Sequence, residues 1–268
     1  MTSFHSPVGP LTYENRIVYS DFITGLDEWG WSRGNSPEPT LTISNTSVDA
    51  LGVVTLGCPA ASTVLYGRSG IFLAQSASPF LARSYTSQAS PIKKRNVFQC
   101  RVKSNTTSLG AEVVQYCGMG LDHAGKVLVD GKIARFDKGI AFHNRGDEPF
   151  WTCCIYWGPS PSTPFPLFEL TTTVPKSNWN TLRVEWTWLN ETHSRVQVDF
   201  FINHSVVAST TVETPDLSVG FETMLHSIQT RDKTGASAAS SGSGRTDQTI
   251  DIDYMYAEIP SYRDAARP

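Results

Sequence analysis

The amino-acid sequence predicts an all-β protein, an antiparallel β-sandwich or jelly roll. Apolar and polar residues alternate in short segments, which recur at roughly 8–12-residue spacing with turn residues between them. No long helical pattern alternates with these segments, which argues against a parallel α/β fold. Aromatic residues make up 11% of the chain and charged residues 18%, a balance typical of half-buried pleated surfaces. A chain of 268 residues can bury a core large enough to be stable without disulfide bonds or structural metal ions.

Period-two alternation predicts the individual strands. Trp186 and Trp188 share the apolar face of one such segment and are predicted to be packing residues. The segment 195–211 is predicted to be a hairpin with its turn at Asn203, His204 and Ser205. The predicted strands are Thr40–Ser44, 53–56, 97–102, Val113–Leu121, 140–144, 151–156, 182–188, 196–202, 206–211 and 249–258.

The chain is predicted to hold one domain between two short extensions. Residues 1–20 are predicted to be an N-terminal arm, because proline and glycine interrupt them and no periodic apolar pattern runs through them. Residues 21–260 form the domain, and residues 261–268 are a C-terminal tail. The Gly/Ser tract 234–244 is predicted to be a mobile loop inside the domain. The segment 70–85 carries a weak pattern for a single turn of helix, which Pro79 interrupts.

Composition and motifs exclude several classes of function. The net charge of -3 argues against a nucleic-acid-binding protein, and no apolar run reaches the roughly 18 residues of a membrane helix. No secretory signal is visible, and no phosphate-binding glycine motif occurs. The five cysteines are an odd number, which favours thiols in a reducing compartment. The adjacent Cys153 and Cys154 would point to opposite faces of a strand, so neither a metal site nor a cofactor is predicted.

Two carboxylates on the last strand are the strongest catalytic signal. Asp251 and Asp253 would emerge on one face about 6–7 Å apart, within the range that glycosidases use. Glu258 would lie on the opposite face and supply no third carboxylate. The favoured alternative is a solvated pair of aspartates on the outward face. In that alternative the residues predicted to pack inward are Ile250, Ile252, Tyr254 and Tyr256.

Aromatic side chains suggest a sugar-stacking surface. The C–H faces of pyranose rings pack on flat aromatic rings, and Trp157 is the best exposed candidate because a proline-rich segment, 159–166, follows it. The alternative is that these aromatic residues pack in the core or anchor a protein interface. The candidates on which the choice bears are Trp29, Trp31, Trp151, Tyr156 and Trp157.

Five segments in a specific order carry a resemblance to a known domain. They are 117–122 (CGMGLD), 138–143 (KGIAFH), 179–185 (WNTLRVE), 198–203 (VDFFIN) and 250–254 (IDIDY). Over roughly residues 20–260 the chain resembles a recurring jelly-roll domain of tailed-bacteriophage virion structural proteins. That domain is similar in architecture to concanavalin A-like lectin and glucanase sandwiches. It has no fixed catalytic signature, so the resemblance assigns no catalytic residues.

The resemblance implies a non-enzymatic virion structural protein, such as a capsid decoration, head-fibre or tail-associated protein. Made in the host bacterial cytoplasm, it would self-associate, with a trimer favoured, and bind capsid or tail proteins. The second hypothesis is a module that recognises a host-surface glycan, and the third is a glycanase that uses Asp251 and Asp253. The glycan contacts in the second hypothesis are Trp151, Tyr156, Trp157, Asp122 and His143.

Overall fold

A computed structural model of the protein describes residues 13–23, 29–34, 40–44, 52–58, 66–73, 95–105, 113–121, 128–129, 132–133, 138–145, 148–157, 166–190, 195–213, 224–233 and 248–262. These residues contain no helix, and so none that could cross a membrane. Their strands are β1 (Tyr13–Ser20), β2 (Trp29–Gly34), β3 (Thr40–Ser44), β4 (Val53–Cys58), β5 (Tyr66–Leu73), β6 (Arg95–Ser104), β7 (Val113–Leu121), β8 (Leu128–Val129), β9 (Lys132–Ile133), β10 (Lys138–Arg145), β11 (Phe150–Trp157), β12 (Pro166–Pro175), β13 (Asn180–Trp188), β14 (Arg195–Ile202), β15 (Ser205–Glu213), β16 (Met224–Lys233) and β17 (Gln248–Tyr262).

The strands form two large antiparallel sheets. The eight-stranded sheet has the order β15-β14-β13-β6-β17-β4-β3, with β1 added to β17 beside β4. The seven-stranded sheet has the order β12-β11-β10-β7-β16-β5-β2, and β8 and β9 form a small separate ladder. One hydrophobic cluster takes buried side chains from both large sheets, so they pack face to face as a sandwich. The predicted all-β antiparallel sandwich is confirmed.

Alternation of buried and exposed residues places the core between the sheets. Along β14 every second residue is buried, and Trp186 and Trp188 of β13 lie in the core, as predicted. Asn203 and His204 both have positive φ, 50° and 70°, the conformation of a two-residue type I′ turn between β14 and β15. The predicted hairpin is therefore confirmed. Residues 70–73 of the segment considered for a helical turn lie in β5; residues 74–85, 158–165 and 234–247 lie outside the described residues.

The predicted N-terminal arm is wrong over its second half. Residues 13–20 form β1, which pairs along its whole length with the end of β17. The sequence analysis missed this strand because main-chain pairing with β17 holds it in the sheet. Its apolar side chains Ile17 and Tyr19 contribute no buried face, since they remain 60% and 53% exposed. Residues 1–12 lie outside the described residues.

A β-bulge reverses the faces of β17 in the middle of the strand. Ile252 pairs with Val102, but Tyr254 pairs with Arg101, so Asp253 is an extra residue in the ladder. Before the bulge, Ile250 and Ile252 are buried in the core, as predicted. After it, the core residues are Met255 and Ala257, and the predicted inward positions of Tyr254 and Tyr256 are wrong, as is the predicted face of Glu258.

The chain turns sharply where β1 ends. Phe22 is completely buried although its φ is 58°, and its N–H donates a hydrogen bond to Ser20 Oγ at 3.2 Å. Gly52 lies against this turn with a φ of 76°, and a Cβ there would stand 2.3 Å from the carbonyl oxygen of Asp21. Only glycine fits this contact, which holds the end of β1 against the start of β4.

A buried polar network joins the two sheets at one end of the sandwich. Gln115 Oε1 accepts hydrogen bonds from Ser104 Oγ at 2.5 Å and from Asn144 Nδ2 at 3.2 Å. Gln115 Nε2 donates to the carbonyl oxygen of Thr249 at 3.0 Å, and Lys176 Nζ donates to Asn144 Oδ1 at 3.3 Å. Because these side chains are buried, each bond replaces one that water would make in the unfolded chain.

We expect Gln115→Ala to lower the free energy of unfolding by about 2–3 kcal/mol, since it leaves buried donors and acceptors without their partner. Urea denaturation measures the change. The control is Lys103→Ala, next to Ser104 but on the partly exposed outer face, which should cost under about 0.5 kcal/mol. Equal losses in the two variants would show that the network does not stabilise the sandwich.

Candidate functional site

The residues predicted to contact glycan fall on opposite faces of the seven-stranded sheet. Trp151 is completely buried in the core between the sheets, so the sugar-stacking role predicted for it does not fit its position. Tyr156 and His143 lie on the outer face of the same sheet, which faces away from this core. Trp157 ends β11, with a side chain outside the described part of the structure, and Asp122 lies outside the described residues.

On the outer face of the seven-stranded sheet, His143 and Tyr156 are shielded from solvent. His143 is 0% exposed and Tyr156 is 6% exposed, and the phenol of Tyr156 donates a hydrogen bond to Glu169 Oε2 at 2.9 Å. The register pairs His143 with Thr152 and Tyr156 with Gly139, which separates the two residues by about 13 Å along the strands. The fold therefore places both residues on one face without bringing them together.

The outer face of the eight-stranded sheet presents a different surface. Its register aligns Tyr19, Tyr256, Gln99, Arg183 and Phe201 side by side on β1, β17, β6, β13 and β14. We call these five residues the cross-strand row. Tyr19 is exposed and the other four are half-buried. Four spaces between neighbouring strands give the row a length of about 19 Å.

Contacts between neighbours hold the rings and polar groups of the row in place. The ring of Tyr19 lies 6.0 Å from that of Tyr254, whose hydroxyl accepts a hydrogen bond from Gln99 Nε2 at 2.7 Å. The guanidinium of Arg183 lies 5.7 Å from the centre of the Phe201 ring. The row is therefore a surface of aromatic rings and hydrogen-bonding groups whose positions the sheet determines.

The charged groups beside the row are paired. Arg101 forms a salt bridge with Asp253 at 2.7 Å, and its guanidinium lies 5.1 Å from the ring centre of Trp179. Both Arg95 and Arg183 form salt bridges with Glu185. These three guanidinium groups share two carboxylates, Asp253 and Glu185, so each of them already contacts a negative charge.

Asp251 and Asp253 both lie on this outer face, as predicted. Asp251 accepts hydrogen bonds from Thr55 Oγ1 and Asn105 Nδ2, each at 2.7 Å, while Asp253 is bound by Arg101. Both carboxylates are half-buried and fixed in orientation. They differ in this respect from a pair of freely solvated aspartates on a sheet surface.

Two tyrosines of this face stay protonated to high pH. Partial desolvation of its phenol, reinforced by the negative charges of Asp21 and Asp253, raises the pKa of Tyr19 above its ordinary 10.0. Burial and the neighbouring Glu258 carboxylate, which accepts a hydrogen bond from Tyr256 at 3.2 Å, raise the pKa of Tyr256. Both phenols are therefore hydrogen-bond donors at neutral pH.

Metal binding finds no support in the described residues, among which no three His, Cys, Asp or Glu side chains cluster closely enough to hold an ion.

The sequence prediction missed the cross-strand row for two local reasons. Tyr19 was expected in the arm, and Tyr256 was expected in the core because simple alternation does not anticipate the bulge in β17. One signal in the sequence indicates that Tyr256 faces outward. Met255 and Ala257, on the opposite face of the strand, are apolar and can fill the core in its place.

Comparison with known proteins relates this chain to others through its fold. No protein-family model and no curated protein matches the sequence. The chain is similar to a solved protein of unknown function from Shewanella oneidensis MR-1, with a TM-score of 0.60, 12% identity and complete coverage of both chains.

Two further solved structures with the same fold are enzymes. An endo-β-1,4-glucuronan lyase from the fungus Trichoderma reesei has a TM-score of 0.53 and 9% identity over 90% of this chain and 94% of its own. An endo-β-galactosidase from Clostridium perfringens that releases GlcNAcα1-4Gal has a TM-score of 0.51 and 14% identity. That match covers 96% of this chain and 66% of the galactosidase.

These similarities confirm the predicted concanavalin A-like jelly roll and correct one prediction. The expectation that the chain is not an enzyme is wrong as an inference from its architecture, since glycan-cleaving enzymes have the same fold. The comparisons give no support to an assignment to phage virion proteins. At 9–14% identity they show the fold alone.

We expect Tyr256→Phe to remove an ionisation centred above pH 10.0, visible in the ultraviolet difference titration of the folded protein. Because the folded state holds this proton more tightly than the unfolded chain, the free energy of unfolding should fall as the pH rises above 10.0. That fall should be shallower in the variant. A difference titration centred at or below 10.0 would contradict the assigned environment of Tyr256.

Proposed function

We propose that this protein binds a glycan along the cross-strand row on the outer face of its eight-stranded sheet. The observation that carries the proposal is the alignment of Tyr19, Tyr256, Gln99, Arg183 and Phe201 across five strands. Aromatic rings provide surfaces for the C–H faces of sugars. Amide, guanidinium and phenol groups between them provide partners for sugar hydroxyls.

The row is suited to binding because it is rigid before the ligand arrives. Its residues lie on paired strands, and contacts such as the Gln99–Tyr254 hydrogen bond and the Arg183–Phe201 stack restrict their side chains. A preorganised surface loses less conformational entropy on binding than a surface formed by loops. The length of about 19 Å suits an extended oligosaccharide better than a single sugar.

The pairing of charges favours a neutral glycan over a polyanion. Arg95 and Arg183 both contact the carboxylate of Glu185, and Arg101 contacts that of Asp253. A polyanionic ligand would have to compete with Asp253 and Glu185 for these guanidinium groups, whereas neutral hydroxyls can accept hydrogen bonds from N–H groups that remain free of the carboxylates. The glycan-cleaving enzymes that share the fold support a carbohydrate ligand in general. The oligomer, the virion partners and the virion location that the sequence analysis expects stay predictions.

The test is a glycan array followed by titration of the full-length protein with a glycan that binds. We expect Tyr19→Ala to weaken binding roughly tenfold, about 1.4 kcal/mol, because an exposed stacking surface is lost. Tyr19→Phe keeps the ring and should stay within about threefold of the wild type.

The matched control is Leu170→Ala, which removes a 43% exposed apolar side chain from the seven-stranded sheet. It should leave glycan affinity unchanged. Absence of binding to any glycan on the array would refute the proposed function, and so would an equal loss of affinity in Leu170→Ala and Tyr19→Ala.

Cleavage of the bound glycan is a second candidate function, favoured by the position of Asp251 and Asp253 on the same face as the row. Two carboxylates on one face of a strand are the elements of glycoside hydrolysis, in which one acts as acid and the other as nucleophile or base. Arg101 binds Asp253 at 2.7 Å and so fixes the orientation of this carboxylate on the face that would hold the glycan.

We expect Asp253→Asn to lower the release of reducing ends at least about a hundredfold while glycan binding persists, if cleavage occurs at this pair. Asp199→Asn is the control, because this carboxylate lies farther along the same face and bonds Ser209 and Gln197. Unchanged release in Asp253→Asn would exclude the pair, and no release by the wild type from a glycan that it binds would exclude cleavage.

A further inference from the structure

The strand β15 ends the eight-stranded sheet with an exposed edge. It pairs with β14 on one side, and no other described strand pairs with its second side. Five of its nine residues are exposed, and Val206 reaches 59%. Every second residue of an antiparallel edge strand directs its N–H and C=O groups away from the sheet. This edge therefore offers hydrogen-bond donors and acceptors to a further strand.

The middle of β15 lacks the features that usually protect an edge strand, which are short length, proline and charged side chains. The neighbouring edge strand of the other sheet, β12, begins and ends with proline, and β3 at the far end of the same sheet has five residues. The segment 208–212 (ASTTV) contains no charged residue, proline or glycine. It also pairs regularly with β14, since the bulge of this hairpin lies before it, at Val207. The segment is therefore suited to pair with another strand.

The core is incompletely covered on the same side of the sandwich. There β12 and β15 lie beside each other as the edges of the two large sheets. Among the described residues, the apolar side chains that pack on the core but are only partly buried all belong to these two strands; they are Leu167, Phe168, Val174 and Val207. Leu170 of β12 is 43% exposed as well. A neighbour on this side would bury apolar surface in addition to pairing with β15.

We propose that this chain forms a dimer in which β15 pairs antiparallel with β15 of a second copy about Thr210. This register places Ser209 opposite Thr211 and Ala208 opposite Val212 of the other copy, so that paired residues belong to the same face of the sheet. Hydroxyl-bearing residues opposite each other stabilise an antiparallel pair. The two eight-stranded sheets then form one continuous sheet.

Charge and symmetry favour a second copy over an unrelated strand. Glu213 lies opposite Val207 in this register, so no two like charges face each other across the pair. The twofold axis runs perpendicular to the sheet, so that β12 of one copy faces β12 of the other in the second layer. The second copy thereby covers apolar side chains such as Leu170, which a single added strand would leave exposed.

The proposed dimer departs from the trimer that the sequence favours, because an edge that pairs with itself closes the assembly after two copies. It also places both cross-strand rows on the same side of one sheet. This consequence rests on the proposed function: two rows that face one way can hold two glycan chains at once. Retention on a dense glycan surface should then exceed that of a single row by roughly 10²–10⁴-fold.

The experiment measures the mass of the full-length protein by sedimentation equilibrium in the absence of glycan. At about 100 μM we expect twice the 29.5 kDa of one chain. The variant Ser209→Lys with Thr211→Lys places lysines opposite each other at two points of the interface, so the mass should fall twofold. Both side chains are exposed in the single chain, and the circular dichroism spectrum should therefore stay that of the folded protein.

The complementary variant, Ser209→Glu with Thr211→Glu, should also have the mass of one chain. An equimolar mixture of the two variants should regain the mass of two chains, because each lysine then faces a glutamate. The matched control is Thr42→Lys, at an exposed position of the edge strand β3, which should remain a dimer.

A wild-type chain with the mass of one or of three copies at about 100 μM would overturn the proposal. So would a lysine variant that remains a dimer, or a mixture of the two variants that stays monomeric. These measurements contain no glycan, so a chain that dimerises but binds nothing on a glycan array would refute the proposed function alone. If both hold, the lysine variant should keep the affinity of each row for soluble glycan and lose the added retention on a dense glycan surface.

Discussion

One extra residue in β17 determines which side chains this protein shows to its surroundings. Asp253 interrupts the ladder between β17 and β6, and the strand continues with its faces exchanged. Without the bulge, Tyr256 would point into the core and Met255 would lie on the surface. With it, Met255 completes the core and Tyr256 joins Tyr19 and Gln99 on the outer face. The proposed binding surface exists because of this shift in register.

β17 also organises the eight-stranded sheet. It is fifteen residues long, and β6 lies along one of its edges while β4 and β1 follow each other along the other. The N-terminal strand β1 thereby becomes part of the sandwich instead of an arm. Its attachment brings Tyr19 beside Tyr256, so that the cross-strand row extends over five neighbouring strands. The turn at Phe22, packed against Gly52, holds the end of β1 in this place.

The two outer faces of the sandwich differ in what they offer a ligand. On the seven-stranded sheet, His143 and Tyr156 are buried, and the phenol of Tyr156 is already bound to Glu169. On the eight-stranded sheet the row is half-exposed, with its charges paired. The fold itself is compatible with glycan-cleaving enzymes and with binding modules alike. Function therefore has to be argued from the side chains of one face and not from the architecture.

The sequence by itself determined the class of fold and most of the core strands. The strands β3 and β7 have the bounds that alternation predicts, because alternation is a local property of the chain. Tertiary structure alone decided that β1 joins the sheet and that Tyr256 faces outward. The physical reason is that register and bulges are set by hydrogen bonds between strands far apart in the chain. No local pattern contains that information.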